Sequence, residues 1–152
     1  MTNRPRLIGV NHVALEVGSI DEALAFYGRY FAFELRGRRE HMAFLDMGDQ
    51  FLALSAPRRQ PPDEHRHFGL VVDDRAGLRA RLEADGVPLV DDQRLDFLDP
   101  WGNRIEVVDY RDIQFLKDRA VLEALGRGDL AKHEGAREEL RRKGIKPRDG
   151  GA

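Results

Sequence analysis

Residues 99–109, DPWGNRIEVVD, decide how the fold is interpreted. In this segment a turn is followed by a strand that contains a glutamate. Asp-Pro-Trp-Gly is typical of a type I turn, in which proline at the second position presets φ. The branched apolar residues that follow predict a β-strand. Side chains alternate between the faces of a strand, so Ile105 and Val107 share one apolar face and Glu106 points to the other. Glu106 is therefore either a solvated residue of an ordinary strand or a side chain that lines a cavity and binds a ligand.

The elements around this strand occur twice in the sequence, in the same order. A first module at about 7–56 is predicted to contain a strand over 7–17, a helix capped by Ser19 and Glu22, and three short strands. A polar, proline-containing linker spans 57–65, and a second module at 66–110 repeats the order strand, helix and three strands. The repeat predicts an α+β fold built from two βαβββ modules.

Residues 111–152 fit neither module and are predicted to form a C-terminal helical extension with a frayed end. Residues 112–126 can form an amphipathic helix, which we expect to dock on the paired domain at 1–110. Residues 129–144 also favour a helix, but they carry few apolar side chains. We expect this second helix to lie at the surface or to face a partner.

The composition limits the classes of function. Of the 152 residues, 41% are hydrophobic and 34% are charged, which is typical of a globular protein. The formal net charge of −2 provides no overall attraction for nucleic acid or an anionic membrane, so we expect neither as a partner. The sequence has no cysteine, which excludes disulfides, zinc–thiolate sites and a cysteine nucleophile. With neither a secretory signal pattern nor a membrane-spanning stretch in the sequence, we expect a cytoplasmic protein.

Two histidines and Glu106 occupy strand faces that could bind a metal. In the first strand His12, Ala14 and Glu16 share the face opposite the apolar residues, and His67 begins the matching strand of the second module. Two imidazoles and one carboxylate can form a facial triad that leaves coordination positions open, which suits Fe²⁺ and other divalent ions. Each of these residues alone is more often a hydrogen-bonded or solvated side chain. The hypothesis therefore requires the repeat to bring all three together, and Glu16 is a candidate general base beside them.

The segments NHVALEV (11–17), HFGLVVDD (67–74) and DPWGNRIEVVD (99–109) together resemble the vicinal oxygen chelate superfamily. This superfamily includes glyoxalase I, fosfomycin-resistance thiol transferases, bleomycin-resistance proteins, methylmalonyl-CoA epimerase and extradiol dioxygenases. The resemblance covers about residues 7–110. It implies that the two βαβββ modules form a curled, cup-shaped mixed sheet, which holds one divalent metal ion through His12, His67 and Glu106. It also implies a homodimer, in which His12 comes either from the same chain as the other two ligands or from the other chain.

The resemblance leaves the reaction open. Glyoxalase I-like members carry a further ligand at the position of Ala53, or of Leu52 in a shifted register, and neither residue binds metal. Three-ligand members therefore fit better, and a metal-dependent enzyme with dioxygenase-like chemistry is preferred over a lyase, an isomerase or a thiol transferase. We expect Fe²⁺, with Mn²⁺, Ni²⁺, Co²⁺ or Zn²⁺ as alternatives, and a small oxygenated organic substrate. The alternative function is a non-catalytic drug- or metabolite-binding protein of the bleomycin-resistance type. The candidate substrate-binding residues are Phe44, Phe97, Trp101 and Tyr110.

Overall fold

The computed structural model describes residues 4–91 and 93–147, and within these residues the strands form two four-stranded sheets. Each sheet belongs to one βαβββ module, so the predicted α+β fold with two modules is confirmed. The first module consists of β1 (His12–Glu16), α1 (Ile20–Tyr30), β2 (Leu35–Arg39), β3 (Met42–Asp46) and β4 (Phe51–Ser55). The second consists of β5 (Phe68–Val72), α2 (Arg75–Ala84), β6 (Leu89–Asp91), β7 (Leu95–Leu98) and β8 (Arg104–Asp109).

The two sheets have the same topology. Their strand orders are β1-β4-β3-β2 and β5-β8-β7-β6, so the first strand of each module pairs with the last. These first–last pairs, β1 with β4 and β5 with β8, are parallel, whereas the other pairs are antiparallel. The register places His12 opposite Phe51 and Gly69 opposite Glu106. The sequence repeat is thus a structural repeat, which places His12 in β1, His67 directly before β5 and Glu106 in β8.

Local signals in the sequence explain where the helices begin. Ser19 caps α1, and its Oγ accepts a hydrogen bond from the backbone N–H of Glu22 at 3.4 Å. Asp74 caps α2 in the same way, with its Oδ1 accepting from the N–H of Gly77 at 2.9 Å. Both helices then pack their apolar faces against one face of each sheet. The opposite sheet faces, which carry His12 and Glu106, point away from this core.

One hydrophobic core joins the two modules. It is formed by buried residues from both helices and both sheets, among them Leu15, Leu52, Leu54, Tyr27, Leu82, Leu95, Phe97, Ile105 and Val107. Burying an aliphatic or aromatic side chain of this size contributes about 1.5–3 kcal/mol. This shared core therefore fixes the two modules relative to each other within the chain.

The turn and the linker add polar contacts between the modules. The predicted turn is confirmed, because the N–H of Gly102 donates to the carbonyl of Asp99 at 3.0 Å and Gly102 has a φ of +87°. Beside it, Asn103 Nδ2 donates to the carbonyl of Glu16 at 2.9 Å, which links the second module to the end of β1. Arg58 of the linker donates to Asn103 Oδ1. The residue after the turn thus connects the linker to both modules.

The C-terminal extension differs from its prediction. It contains α3 (Arg119–Ala124) and α4 (Glu134–Arg142), so the first helix is shorter than the amphipathic pattern suggested. It begins late because Asp118 caps it, accepting from the N–H of Ala120 at 2.8 Å. The second helix, α4, buries Ala136 and Leu140 on one face, and most of its other residues are exposed. Of the predicted frayed end at 146–152, residues 148–152 lie outside the described residues.

The extension contacts both modules. Lys117 pairs with Asp49 in the β3–β4 turn, and Arg127 pairs with Asp73, which follows β5. The backbone of the β3–β4 turn also lies against α3, where Val121 lies close to Gly48. None of the helices in the described parts of the chain is both long and apolar enough to cross a membrane.

Candidate metal centre

His67 and Glu106 lie side by side on the second sheet, on the face that points away from the core. His67 directly precedes β5 and Glu106 is the third residue of β8, and the parallel pairing of these strands brings the side chains together. His67 Nε2 and Glu106 Oε2 are 3.4 Å apart, and their side chains are 37% and 25% exposed. Gly69 opposite Glu106 leaves space, since a Cβ there would have no described atom within 4 Å. Both groups are therefore accessible to a ligand.

The hydrogen bond of the other ring nitrogen of His67 determines its tautomer. His67 Nδ1 lies 2.9 Å from the carbonyl oxygen of His65. A carbonyl oxygen can only accept, so Nδ1 carries the proton and donates it. In the neutral ring the lone pair is then on Nε2, which is the atom beside Glu106. Metal-binding histidines typically have this arrangement, in which a carbonyl orients the ring through the nitrogen that does not bind.

His12 shows the same arrangement on the first sheet. Its Nδ1 lies 2.8 Å from Oδ1 of Asn11, which accepts the proton of this nitrogen and leaves Nε2 with the lone pair. The ring stacks on Phe51 of β4, with centroids 4.6 Å apart and planes 7° apart. His12 is exposed, on the face of β1 opposite the core residue Leu15. The imidazole is thus held in place with its second nitrogen available.

The structure brings two of the three candidate ligands together within one chain. Among residues 4–91 and 93–147, no group of three or more His, Asp or Glu side chains is placed to hold a metal ion. His67 and Glu106 form a pair on the second sheet, whereas His12 is held by Asn11 and Phe51 on the first. A complete triad therefore needs either a movement of His12 or a second chain.

Glu16 and His67 line one cavity of about 210 Å³ between β1 and β5. Glu16 Oε2 accepts a hydrogen bond from the backbone N–H of Arg59 at 3.3 Å. Asp63 also lines this cavity. Burial acts to raise the pKa of Asp63, but hydrogen bonds from Arg66 and from the backbone N–H of Arg104 outweigh it, so this pKa is lowered. A candidate general base and one candidate metal ligand therefore line the same cavity.

The four aromatic candidates lie in different surroundings. Phe44 is on the face of the first sheet that points away from the core, with its ring 5.7 Å from that of Phe51. Phe97 is fully buried in the core. Trp101 packs edge-to-face on Phe26 of α1, 6.4 Å away, and is part of the surface of the core. Tyr110 is buried, with Lys132 Nζ 3.4 Å from its ring centroid. Of these four, Phe44 lies on the same sheet face as His12.

Asp96 and Arg104 are neighbours of this site that the sequence analysis missed. Asp96 lies opposite Glu106 in the antiparallel pair β7–β8, and only 1% of it is exposed. Arg104 donates to Asp96 Oδ2 from Nε at 3.0 Å and from Nη2 at 2.6 Å. Strand alternation could have indicated Asp96, because it lies between the core residues Leu95 and Phe97 just as Glu106 lies between Ile105 and Val107.

Comparison with known proteins agrees with this architecture. Residues 9–107 match the family model of the Glyoxalase/Bleomycin resistance protein/Dioxygenase superfamily, and the chain belongs to this superfamily. A solved structure described as a glyoxalase family protein from Bacillus anthracis is 27% identical, with a TM-score of 0.58, and the match covers 70% of this chain and 98% of that one. The matched residues end before the C-terminal extension.

Two further solved structures share the fold. Lactoylglutathione lyase from Agrobacterium tumefaciens is 24% identical, with a TM-score of 0.55, and the match covers 69% of this chain and 96% of that one. A fosfomycin resistance protein from Listeria monocytogenes, solved with Mn(II) and sulfate, is 15% identical, with a TM-score of 0.58 and coverages of 67% and 92%. At these identities the likeness shows the fold alone.

Proposed function

We propose that the protein is a metal-dependent enzyme of the vicinal oxygen chelate type that acts on a small oxygenated organic molecule. The observation that supports this most directly is the pair of His67 Nε2 and Glu106 Oε2, 3.4 Å apart, with the imidazole oriented through Nδ1 by a carbonyl. An imidazole nitrogen and a carboxylate oxygen that are both accessible and this close together can bind one cation between them. Together these features fit the requirements of a divalent cation.

The donor set narrows the choice of metal. His12, His67 and Glu106 would supply two imidazole nitrogens and one carboxylate oxygen, which suits Fe²⁺ best and also accommodates Mn²⁺, Ni²⁺, Co²⁺ or Zn²⁺. When bound, such an ion acts as a Lewis acid that lowers the pKa of a hydroxyl group of the substrate. A substrate with adjacent oxygen atoms would be oriented by the same ion. We propose a reaction of the dioxygenase, lyase, isomerase or thiol-transfer kind, with dioxygenase-like chemistry preferred.

We infer that the active protein is a homodimer, in which His12 of one chain joins His67 and Glu106 of the other. The separation of His12 from the other two ligands within one chain supports this inference. So does the packing, because the shared core holds the modules together through their helices and leaves the ligand-bearing faces pointing outwards. Two such faces from two chains can meet without disturbing either core.

Glu16 is the candidate that would move a proton. It follows His12 on the same face of β1, and its Oε2 already accepts a hydrogen bond from the N–H of Arg59. That hydrogen bond orients the carboxylate. In the proposed enzyme this oxygen would take a proton from the substrate, and Phe44 on the same sheet would provide an apolar contact.

Metal content tests the proposal directly. The wild-type protein, purified without chelator and incubated with Mn²⁺ or Fe²⁺, should hold one ion per chain. Glu106→Gln keeps the shape of the side chain but removes its charge, and should reduce affinity at least about tenfold, because even residues that only support metal ligands contribute that much. Glu139→Gln, at an exposed position in α4, is the matched control and should leave the metal affinity unchanged. Unchanged metal content in the Glu106 variant would contradict the ligand assignment.

The same measurement separates the enzyme from the alternative function, a non-catalytic binding protein. One observation favours that alternative, namely the aromatic surface formed by Phe44 and Phe51, over which the guanidinium of Arg36 lies 4.7 Å from the Phe51 ring centroid. Such a surface can bind an organic molecule without a metal. A wild-type protein that takes up none of the five candidate metals would support this function instead.

A further inference from the structure

We propose that Asp96 is a positioning residue for Glu106, because it binds Arg104 and so prevents this guanidinium from pairing with Glu106. The inference rests on the proposed function, since it concerns a candidate metal ligand. It adds a role for two residues that do not themselves touch the metal. Its physical basis is a competition between two carboxylates for one cation.

The strand geometry places both carboxylates within reach of Arg104. Asp96 and Glu106 are register partners across β7 and β8, so their side chains point to the same face. Arg104 precedes Glu106 by two residues in β8 and therefore shares its face, at a separation of about 6.6 Å along the strand. An arginine side chain extends over that distance. Arg104 can thus bind either carboxylate.

In the structure Arg104 binds Asp96. Its Nε and Nη2 both donate to Asp96 Oδ2, at 3.0 and 2.6 Å, and its Nη1 donates to the carbonyl of Glu64 at 2.7 Å. All three nitrogens of the Arg104 guanidinium therefore donate hydrogen bonds to Asp96 or to the carbonyl of Glu64. Glu106 is left beside His67, with its Oε2 3.4 Å from the imidazole Nε2.

Stability alone does not explain this arrangement. Asp96 is buried, and among the residues that the structure describes its Oδ1 has no hydrogen-bond partner. A buried polar atom without a partner is destabilising, and a buried ion pair often contributes less than apolar residues of the same size. Two carboxylates at facing positions also repel each other. The pair of Asp96 and Arg104 is therefore better explained by its effect on Glu106, whose negative charge it leaves available for a cation.

A rescue experiment tests the inference. Asp96→Asn preserves shape but not charge, so Arg104 should turn to Glu106, and the Kd for Mn²⁺ measured by calorimetry should rise at least about tenfold. In Asp96→Asn/Arg104→Gln the competing cation is absent, and the Kd should return to within about threefold of the wild-type value. Glu83→Gln, which breaks the ion pair with Arg79 on α2, is the control and should leave the Kd unchanged.

The outcomes of this experiment either support or contradict the positioning role of Asp96. A Kd for Mn²⁺ that is unchanged in Asp96→Asn overturns the inference. A double variant that binds Mn²⁺ as weakly as Asp96→Asn also overturns it, because removing Arg104 would not restore binding if Asp96 only stabilised the fold. A crystal structure of Asp96→Asn supplies a second measurement that needs no metal. Contact between Arg104 and Glu106 supports the inference, and Glu106 still beside His67 contradicts it. A wild-type protein that binds no metal would instead refute the proposed function.

Discussion

A metal centre shared between two chains predicts that two inactive variants restore each other. His12→Ala removes a ligand from the first sheet, and Glu106→Gln removes one from the second. In a homodimer of either variant both sites lack a ligand. We expect the affinity for metal to fall at least about tenfold in each homodimer, since replacing a residue that only supports a metal ligand already lowers the affinity 10–100-fold.

The heterodimer of the two variants should regain one site. That site takes His12 from the Glu106→Gln chain and His67 and Glu106 from the His12→Ala chain, so all its ligands are intact. The other site lacks two ligands. By the two-fold symmetry of such a dimer, the purified heterodimer should hold about half of the wild-type metal per chain, and a random equimolar mixture about a quarter. A site contained within one chain would regain nothing, because every chain carries one damaged ligand.

The assay uses co-expression of the two variants with different affinity tags and purification over both tags in sequence. Mn²⁺ is added, and the metal per chain is measured by elemental analysis. A dimer whose two differently tagged chains both carry His12→Ala is the control for tag effects. A heterodimer with as little metal as this control would refute the shared site. A strictly monomeric protein with full metal content would refute it as well.

Two further predictions concern stability. Gly48→Ala should lower the free energy of unfolding in urea by more than about 2 kcal/mol, because the φ of +88° is strained for alanine and the new Cβ would clash with Val121 of α3. Gly86→Ala, at a φ of +68° with no described atom within 4 Å, should cost only about 1 kcal/mol, and equal losses would contradict the packing of α3 on the turn. A hydrogen bond from Arg111 lowers the pKa of Asp109 to about 2; because the Arg111 side chain is 37% exposed and solvent screens the pair, Asp109→Asn should cost about 1 kcal/mol at pH 7. That stabilisation is complete above the unfolded pKa near 4 and is lost as the pH falls towards 2, so a difference from wild type that does not shrink over this range would contradict the assignment.

The faces of the end strands could be predicted from the sequence. In β1 and β8 apolar residues alternate with others, and the structure buries Leu15 in β1 and Ile105 and Val107 in β8. Alternation follows from backbone geometry alone, so it needs no knowledge of distant contacts. The same rule predicts that Glu106 lies on the sheet face that carries His67, which directly precedes β5, the strand parallel to β8.

Contacts between distant parts of the chain could not be predicted in this way. The strand expected from residue 7 begins only at His12, because β4 starts opposite it at Phe51 and offers no earlier partner. Both faces of β7 are buried, so alternation could not show that Phe97 belongs to the core. Tyr110 is covered by Lys132, which is separated from it by 22 residues in the extension. The position of His12 relative to Glu106 depends on chain association, about which a local pattern carries no information.

The C-terminal extension is attached partly by charge. Its ion pairs with the two modules, Lys117 with Asp49 and Arg127 with Asp73, are partly exposed to solvent. Mobile ions screen such pairs, with a Debye length of about 8 Å at physiological ionic strength. Concentrated salt should therefore weaken the attachment of residues 117–127 to the two modules while leaving the apolar core intact. The chain thus has one segment whose attachment depends partly on charge, joined to a domain that a shared apolar core holds together.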